Sequence, residues 1–113
     1  MDLSDCRDAC LRTHVACLHA ATHALVKGEA HPRDLVRMLW DCADMSLVSA
    51  NLMSRGSPMY TVTCGACAIL CEDCTAQCGD SEDPVLRQCA EDCRNCARLC
   101  REMAAGHAAV PME

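Results

Sequence analysis

Apolar and small residues recur along this chain at steps of three and four. Cys64, Cys67, Cys71, Cys74 and Cys78 form one such run, and Cys89, Cys93, Cys96 and Cys100 form another. Cys6, Cys10 and Cys17 keep the same rhythm, with Thr13 in the skipped place. Between them, Cys42 sits among Leu35, Leu39, Met45, Ser46, Ser49, Leu52 and Met53. A mean step of about 3.5 residues keeps one stripe of a helix turned toward its neighbours. The alternation that would mark a strand is absent.

Glycine and proline divide the periodic segments. Gly28, Gly56, Gly79 and Gly106 each follow one, where a helix C-terminal glycine is expected. Pro32, Pro58 and Pro84 come a few residues later, each preceded by a capping candidate: His31, Ser57 and Asp83. Ala, Leu, Arg, Glu and Met fill the intervals and favour helix. The predicted helices are 3–27, 33–54, 58–78 and 84–104, followed by a tail, 105–113. Short connections make neighbours antiparallel. The expected fold is all-α: an antiparallel up-down four-helix bundle with an inward-facing Cys seam, in a single domain over 1–113.

Composition changes what that core is made of. The 113 residues include 13 Cys, 7 Met, one Trp, one Tyr and no Phe. Leu, Ile and Val number 19, fewer than a conventional core needs. Disorder would require high charge and low apolarity. A net charge of −6 and a mean hydropathy of +0.02 supply neither. Sulfur therefore belongs to the core.

Charge and segment lengths narrow the function class. A pI near 5.2 argues against nucleic acid or an anionic membrane surface as partner. No apolar run approaches the roughly 18 residues of a membrane span. The first residues, Met1 to Cys6, carry no basic stretch and no apolar signal core. The expected location is cytoplasmic, where thiols stay reduced. An odd cysteine count also fits a full disulfide framework poorly.

Antiparallel threading places the thiols in levels. Cys6, Cys64 and Cys100 lie near one end. Cys10, Cys67, Cys71 and Cys96 come next. Cys17, Cys42, Cys74, Cys78, Cys89 and Cys93 lie farther along. In the third helix the column spans roughly 21 Å. Cysteines three or four apart on a helix have Cβ atoms about 5–6 Å apart, wider than a disulfide accepts. A metal ion bridges that gap, and soft thiolates select Cu(I), Zn or iron–sulfur clusters. Each Cu(I) that replaces one thiol proton leaves charge unchanged. A four-thiolate zinc site carries about −2, which is costly inside a bundle. Iron–sulfur motifs space their cysteines otherwise. Cysteine as a small core hydrophobe is the bland alternative, and 13 on one stripe strain it. A C-x-x-C redox site expects a βαβ context that is missing. No catalytic residue is expected, since no acid–base set converges on a polar pocket.

With these residues in view, the chain resembles the copper storage proteins, a Cys-rich four-helix-bundle family. The resemblance is carried by Cys64-Gly-Ala-Cys67-Ala-Ile-Leu-Cys71-Glu-Asp-Cys74-Thr-Ala-Gln-Cys78 and by Cys89-Ala-Glu-Asp-Cys93-Arg-Asn-Cys96-Ala-Arg-Leu-Cys100. Asp5-Cys6-Arg-Asp-Ala-Cys10 and Asp41-Cys42-Ala-Asp44 extend it over nearly the whole chain. The resemblance implies storage of several Cu(I) ions per chain by thiolates, commonly in a homotetramer, with a copper donor or acceptor protein as further partner. All 13 cysteines are then metal ligands. Thr13, Ala20, Ala24, Leu35, Ser46 and Leu86 stand where similar proteins often carry further thiols. Ala20, Ala24, Leu35 and Leu86 share one end and predict an apolar plug there.

Met53, Met59 and Met103, with His107, cluster at the opposite end. Thioethers suit Cu(I), which makes this end the expected mouth of the column; methionine as a filler of irregular gaps is the alternative. His14, His19 and His23 read as surface histidines, although 19 and 23 have a chelating spacing. Leu11, Val15, Leu18 and Leu25, with Val36, Trp40 and Leu47, lie off the seam and suggest either self-association or flank packing. Glu91, Asp92, Arg94 and Arg98 read as a solvated face. Two alternatives to copper storage stand beside it: a thiol-based redox-responsive protein, and a structural zinc or iron–sulfur protein.

Overall fold

The computed structural model describes residues 3–27 and 33–109, with residues 106–109 as backbone only. Four helices follow in order: α1 Leu3–Lys27, α2 Arg33–Ser54, α3 Tyr60–Cys78 and α4 Pro84–Ala109. Among the described residues no strand forms. Helix α1 packs against α2 and α4, and α3 packs against the same two. Among the described residues, the diagonal pairs α1/α3 and α2/α4 have no close backbone contact. The bundle is thus square in section, and the space along its axis is filled by side chains.

Local chemistry explains the boundaries. Gly56 ends α2 at φ +72°, a conformation a side chain would strain. Its N–H donates to the Met53 carbonyl, and the Ser57 N–H donates to Leu52. That pair of bonds closes the orphan carbonyls of the last turn. Asp83 caps α4: its Oδ1 accepts the Val85 N–H at 3.0 Å, with Pro84 as the first helical residue.

Two boundaries differ from expectation, and one terminal glycine differs in conformation. Helix α3 starts at Tyr60 rather than 58, because Pro58 and Met59 form a turn in which Ser57 Oγ accepts the Met59 N–H. Gly79 follows α3 but stays right-handed at φ −64°, its N–H still bonded to Thr75. Helix α4 runs to Ala109, so Gly106 lies inside it and the expected tail shortens. One glycine costs a helix about 1 kcal/mol, which the surrounding alanines tolerate. Gly28, His31 and Pro32 lie outside the described residues.

The predicted plug is buried. Leu35 and Leu86 are under 10% exposed, Ala20 and Ala24 nearly fully buried, and Leu39 beside them fully so. These residues come from the end of α1 and the starts of α2 and α4, which meet at one end of the bundle. No described helix is long and apolar enough to cross a membrane.

Candidate metal centre

All 13 cysteines are free thiols and all are buried. Three come from α1, one from α2, five from α3 and four from α4. The 3–4 stepping turns each set toward the axis, where the square section leaves room for sulfur. Twelve of the 13 gather into four groups whose sulfurs lie within 4.8 Å of one another. These are Cys6–Cys64–Cys100, Cys10–Cys67–Cys96–Cys100, Cys42–Cys71–Cys93 and Cys17–Cys74–Cys89–Cys93. The order matches the levels read from threading, and Cys42 joins Cys71 at the middle one. Cys78 is the exception: it is buried against Cys74 but belongs to no group.

The spacings suit a bridging ion. Cys42 and Cys71 lie 3.4 Å apart, Cys10 and Cys100 3.6 Å, and Cys17 and Cys89 3.6 Å. Cys67 lies 3.8 Å from Cys71 and 3.9 Å from Cys96. With metal–sulfur bonds of about 2.3 Å, three sulfurs around one ion sit roughly 4 Å apart, so the observed gaps need only slight opening. Cys100 and Cys93 each belong to two groups. A thiolate shared between neighbouring sites is a bridging ligand, so the groups join into two linked pairs rather than four isolated cages, and Cys67 approaches Cys71 to 3.8 Å between the pairs.

The thiols polarise one another. Each group holds at least one whose acidity rises because neighbouring S–H groups bond to it. Cys6 is lowered by Cys10, Cys100 and Cys64. Cys67 is lowered by Cys10, Cys100, Cys71 and Cys96. Cys42 is lowered to about 2 by Cys17, Cys71 and Cys93. Cys74 is lowered by Cys17, Cys78, Cys89 and Cys93. Cys96 also falls, to about 6, under Cys10 and Cys100. The partners shift the other way. Cys93 is raised by its bonds to Cys17, Cys42, Cys71 and Cys74, with burial adding to them. At Cys64, Cys100 pulls the value down, but Cys6 and burial outweigh it and push it up to about 12. Each group thus holds at least one thiol whose neighbours favour its anionic form.

Two hydroxyls stand on the seam. Ser46 Oγ lies 3.5 Å from Cys67 Sγ, while Thr13 Oγ1 turns away and donates to the Asp92 carbonyl at 3.2 Å. At the expected mouth, Met53 is buried, Met103 is half-buried against the core, and Met59 is exposed. The His107 side chain lies outside the described residues.

The histidines differ from the surface reading. Half-buried His14 donates Nδ1–H to the Ala43 carbonyl at 2.7 Å and ties α1 to α2. His23 pairs with Asp83, Nε2 to Oδ2 at 2.6 Å, so it does not chelate with His19. Of these three, His19 alone is exposed as expected. Neither partnership had a local signal, because Ala43 and Asp83 are 29 and 60 residues away. Of the off-seam apolar set, Val36 is buried in the flank. Leu11, Val15, Leu18, Leu25 and Trp40 remain exposed. Glu91 and Arg94 pair on the outside, and Arg98 pairs with Glu102 at 3.7 Å. Asp92 is half-buried, and desolvation raises its carboxyl.

A family profile described as "Copper storage protein" matches residues 1–105. The chain belongs to the copper storage protein family. Among its relatives is the cysteine-rich protein YhjQ of Bacillus subtilis strain 168. It is 34% identical over 101 residues, covering 88% of this chain and 94% of YhjQ. The solved Cu(I)-bound copper storage protein BsCsp3 superposes with a TM-score of 0.85 at 32% identity, covering 91% of this chain and 99% of that one. The Nmul_A1745 protein from Nitrosospira multiformis gives a TM-score of 0.85 at 36% identity, covering 91% and 94%. Copper storage membership thus agrees with a helical bundle whose axis is lined by thiols.

Proposed function

We propose that this protein is a cytoplasmic, non-enzymatic store and buffer of Cu(I), holding several ions per chain on the thiolates of its bundle axis. One observation carries this: twelve buried thiols form groups linked through Cys93 and Cys100. Linked sites suit a metal that accepts bridging thiolates and adds no net charge on loading. Separate zinc sites would each bury about two negative charges. Family membership supports the same reading over the redox and zinc or iron–sulfur alternatives.

All 13 cysteines act as ligands in this proposal, Cys78 through its neighbour Cys74. Ions enter at the end bearing Met53, Met59, Met103 and His107, where a donor or acceptor protein exchanges them. The exposed apolar residues Leu11, Val15, Leu18, Leu25 and Trp40 support assembly into a homo-oligomer, a tetramer by resemblance.

Anaerobic Cu(I) titration of the reduced protein, read by native mass spectrometry, tests the proposal. Electroneutral loading ends near one ion per thiol, about 13. Saturation at one or two ions per chain would refute storage.

A further inference from the structure

Twelve of the thiols are sealed from solvent to within the nearest percent, but Cys89 is 2% exposed. Its outer side forms part of the wall of a surface cleft of about 270 Å³ between α1 and α4. Ala16 and His19 line the cleft from α1, and Pro84, Val85, Gln88 and Cys89 line it from α4. On its inner side Cys89 Sγ lies 3.6 Å from Cys17 and 3.9 Å from Cys74. The same residue thus faces both the outside and the tetrad of Cys17, Cys74, Cys89 and Cys93.

That tetrad is the group farthest from the expected mouth. An ion entering beside Cys64 travels ten residues along α3, about 15 Å, to reach Cys74. The other end is closed by Leu35, Leu39 and Leu86. The cleft offers a shorter route. His23 is committed to Asp83, whereas His19 is exposed on the cleft wall. Ala16, Pro84 and Val85 make the remaining wall largely apolar, which disfavours a strongly hydrated divalent ion.

We propose that this cleft is a lateral port, in which His19 and Cys89 form a two-ligand site that takes Cu(I) and passes it to the inner tetrad. The choice of ion rests on the storage function above. At the port the Cys89 S–H bond breaks and its proton goes to solvent through the open cleft. A Cu–S bond forms, an imidazole nitrogen of His19 supplies the second ligand, and the ligand that carried the ion departs. The Cys17 thiol then bonds the ion through a sulfur lone pair, keeping its proton, and displaces His19, so that one proton, that of Cys89, leaves per ion. Copper stays Cu(I), and nothing is oxidised.

The test has a metal-free arm and a loaded arm, both on the full chain. In the reduced apo protein, a short iodoacetamide pulse with peptide mass mapping should label Cys89 about tenfold faster than Cys17, Cys74 or Cys93, since access controls thiol reactivity. Ala16→Leu, which fills the cleft, should slow Cys89 and leave Cys64 and Cys100 unchanged. In the loaded protein, Cu(I) release to excess bicinchoninate should lose its fast phase in His19→Ala and in Ala16→Leu, each slower by about tenfold, with capacity unchanged within one ion in Ala16→Leu. Circular dichroism checks that both variants fold. Cys89 labelling no faster than Cys17 overturns the port. Unchanged release in both variants overturns the His19–Cys89 site. A wild type that takes up only one or two ions refutes storage instead, and the labelling arm then decides the port by itself.

Discussion

The thiols of Cys42 on α2 and Cys71 on α3 face each other 3.4 Å apart. Cys42 is the one cysteine that α2 contributes, and it also lies 3.9 Å from Cys93. It therefore joins α2 to a sulfur array otherwise built by three helices. Cys42→Ala should lower Cu(I) capacity by about one or two ions, because the middle group loses its only ligand from that side. The lost volume is small, so the apo fold should weaken by only about 1 kcal/mol. Native mass spectrometry and urea unfolding in reductant measure the two effects separately.

Loading should release about one proton per ion, since each Cu(I) replaces a thiol proton. A pH-stat titration counts them directly. Thiols such as Cys64, pushed up to about 12, still hold their protons at neutral pH. Metal and proton then compete, so affinity should fall as pH drops, by about tenfold per unit where one proton leaves per ion. Competition against a Cu(I) chelator at several pH values checks the slope.

If the methionines form the mouth, Met53→Leu with Met103→Leu should slow both uptake and removal of Cu(I) while preserving capacity. Leucine conserves volume, and swaps of this kind cost less than about 1.5 kcal/mol. Stopped-flow loading and chelator extraction give the rates. Unchanged rates would make these methionines core fillers only.

Leu39 is fully buried at the plugged end, three residues before Cys42 on α2. Leu39→Ala should destabilise the apo protein by about 2–5 kcal/mol, the range for emptying a leucine site. Copper capacity should not change. A urea curve and a titration on the same sample distinguish a structural plug from a metal site.

The contact between His23 and Asp83 ties the end of α1 to the start of α4. The His23 bond, aided by the Val85 N–H and against some desolvation, holds the Asp83 carboxyl below its usual 3.8. A depressed carboxyl stabilises the fold above the ordinary value, and that contribution is lost as pH falls through the lowered native one. His23→Ala should therefore flatten the fall in urea midpoint between about pH 5 and pH 3. An equally steep fall in the variant would place the acid sensitivity elsewhere.

Particular residues show how far local sequence reached. Pro84 and Asp83 announced the start of α4, and Gly56 the end of α2, because each acts through bonds within a few residues. Pro58 misplaced the start of α3 by two residues, since the turn at Ser57 takes up the first positions. Gly106 reads locally as a stop because glycine is a weak helix former, yet it lies inside α4. His14 and His23 read as surface histidines, because their partners lie on other elements.

The sequence alone determined that the thiols line one stripe of each helix. Steps of three and four are a property of the helical repeat, and they need no knowledge of neighbours. It also determined the order of levels, since short connections make the helices antiparallel. Tertiary structure decided which sulfurs share a site. Cys6 meets Cys100 across 94 residues of chain at 3.7 Å. That match depends on how far each helix slides and rotates against the next, which is set by packing across the whole bundle. The same packing left Cys78 outside the groups and brought Cys89 to the edge of the surface.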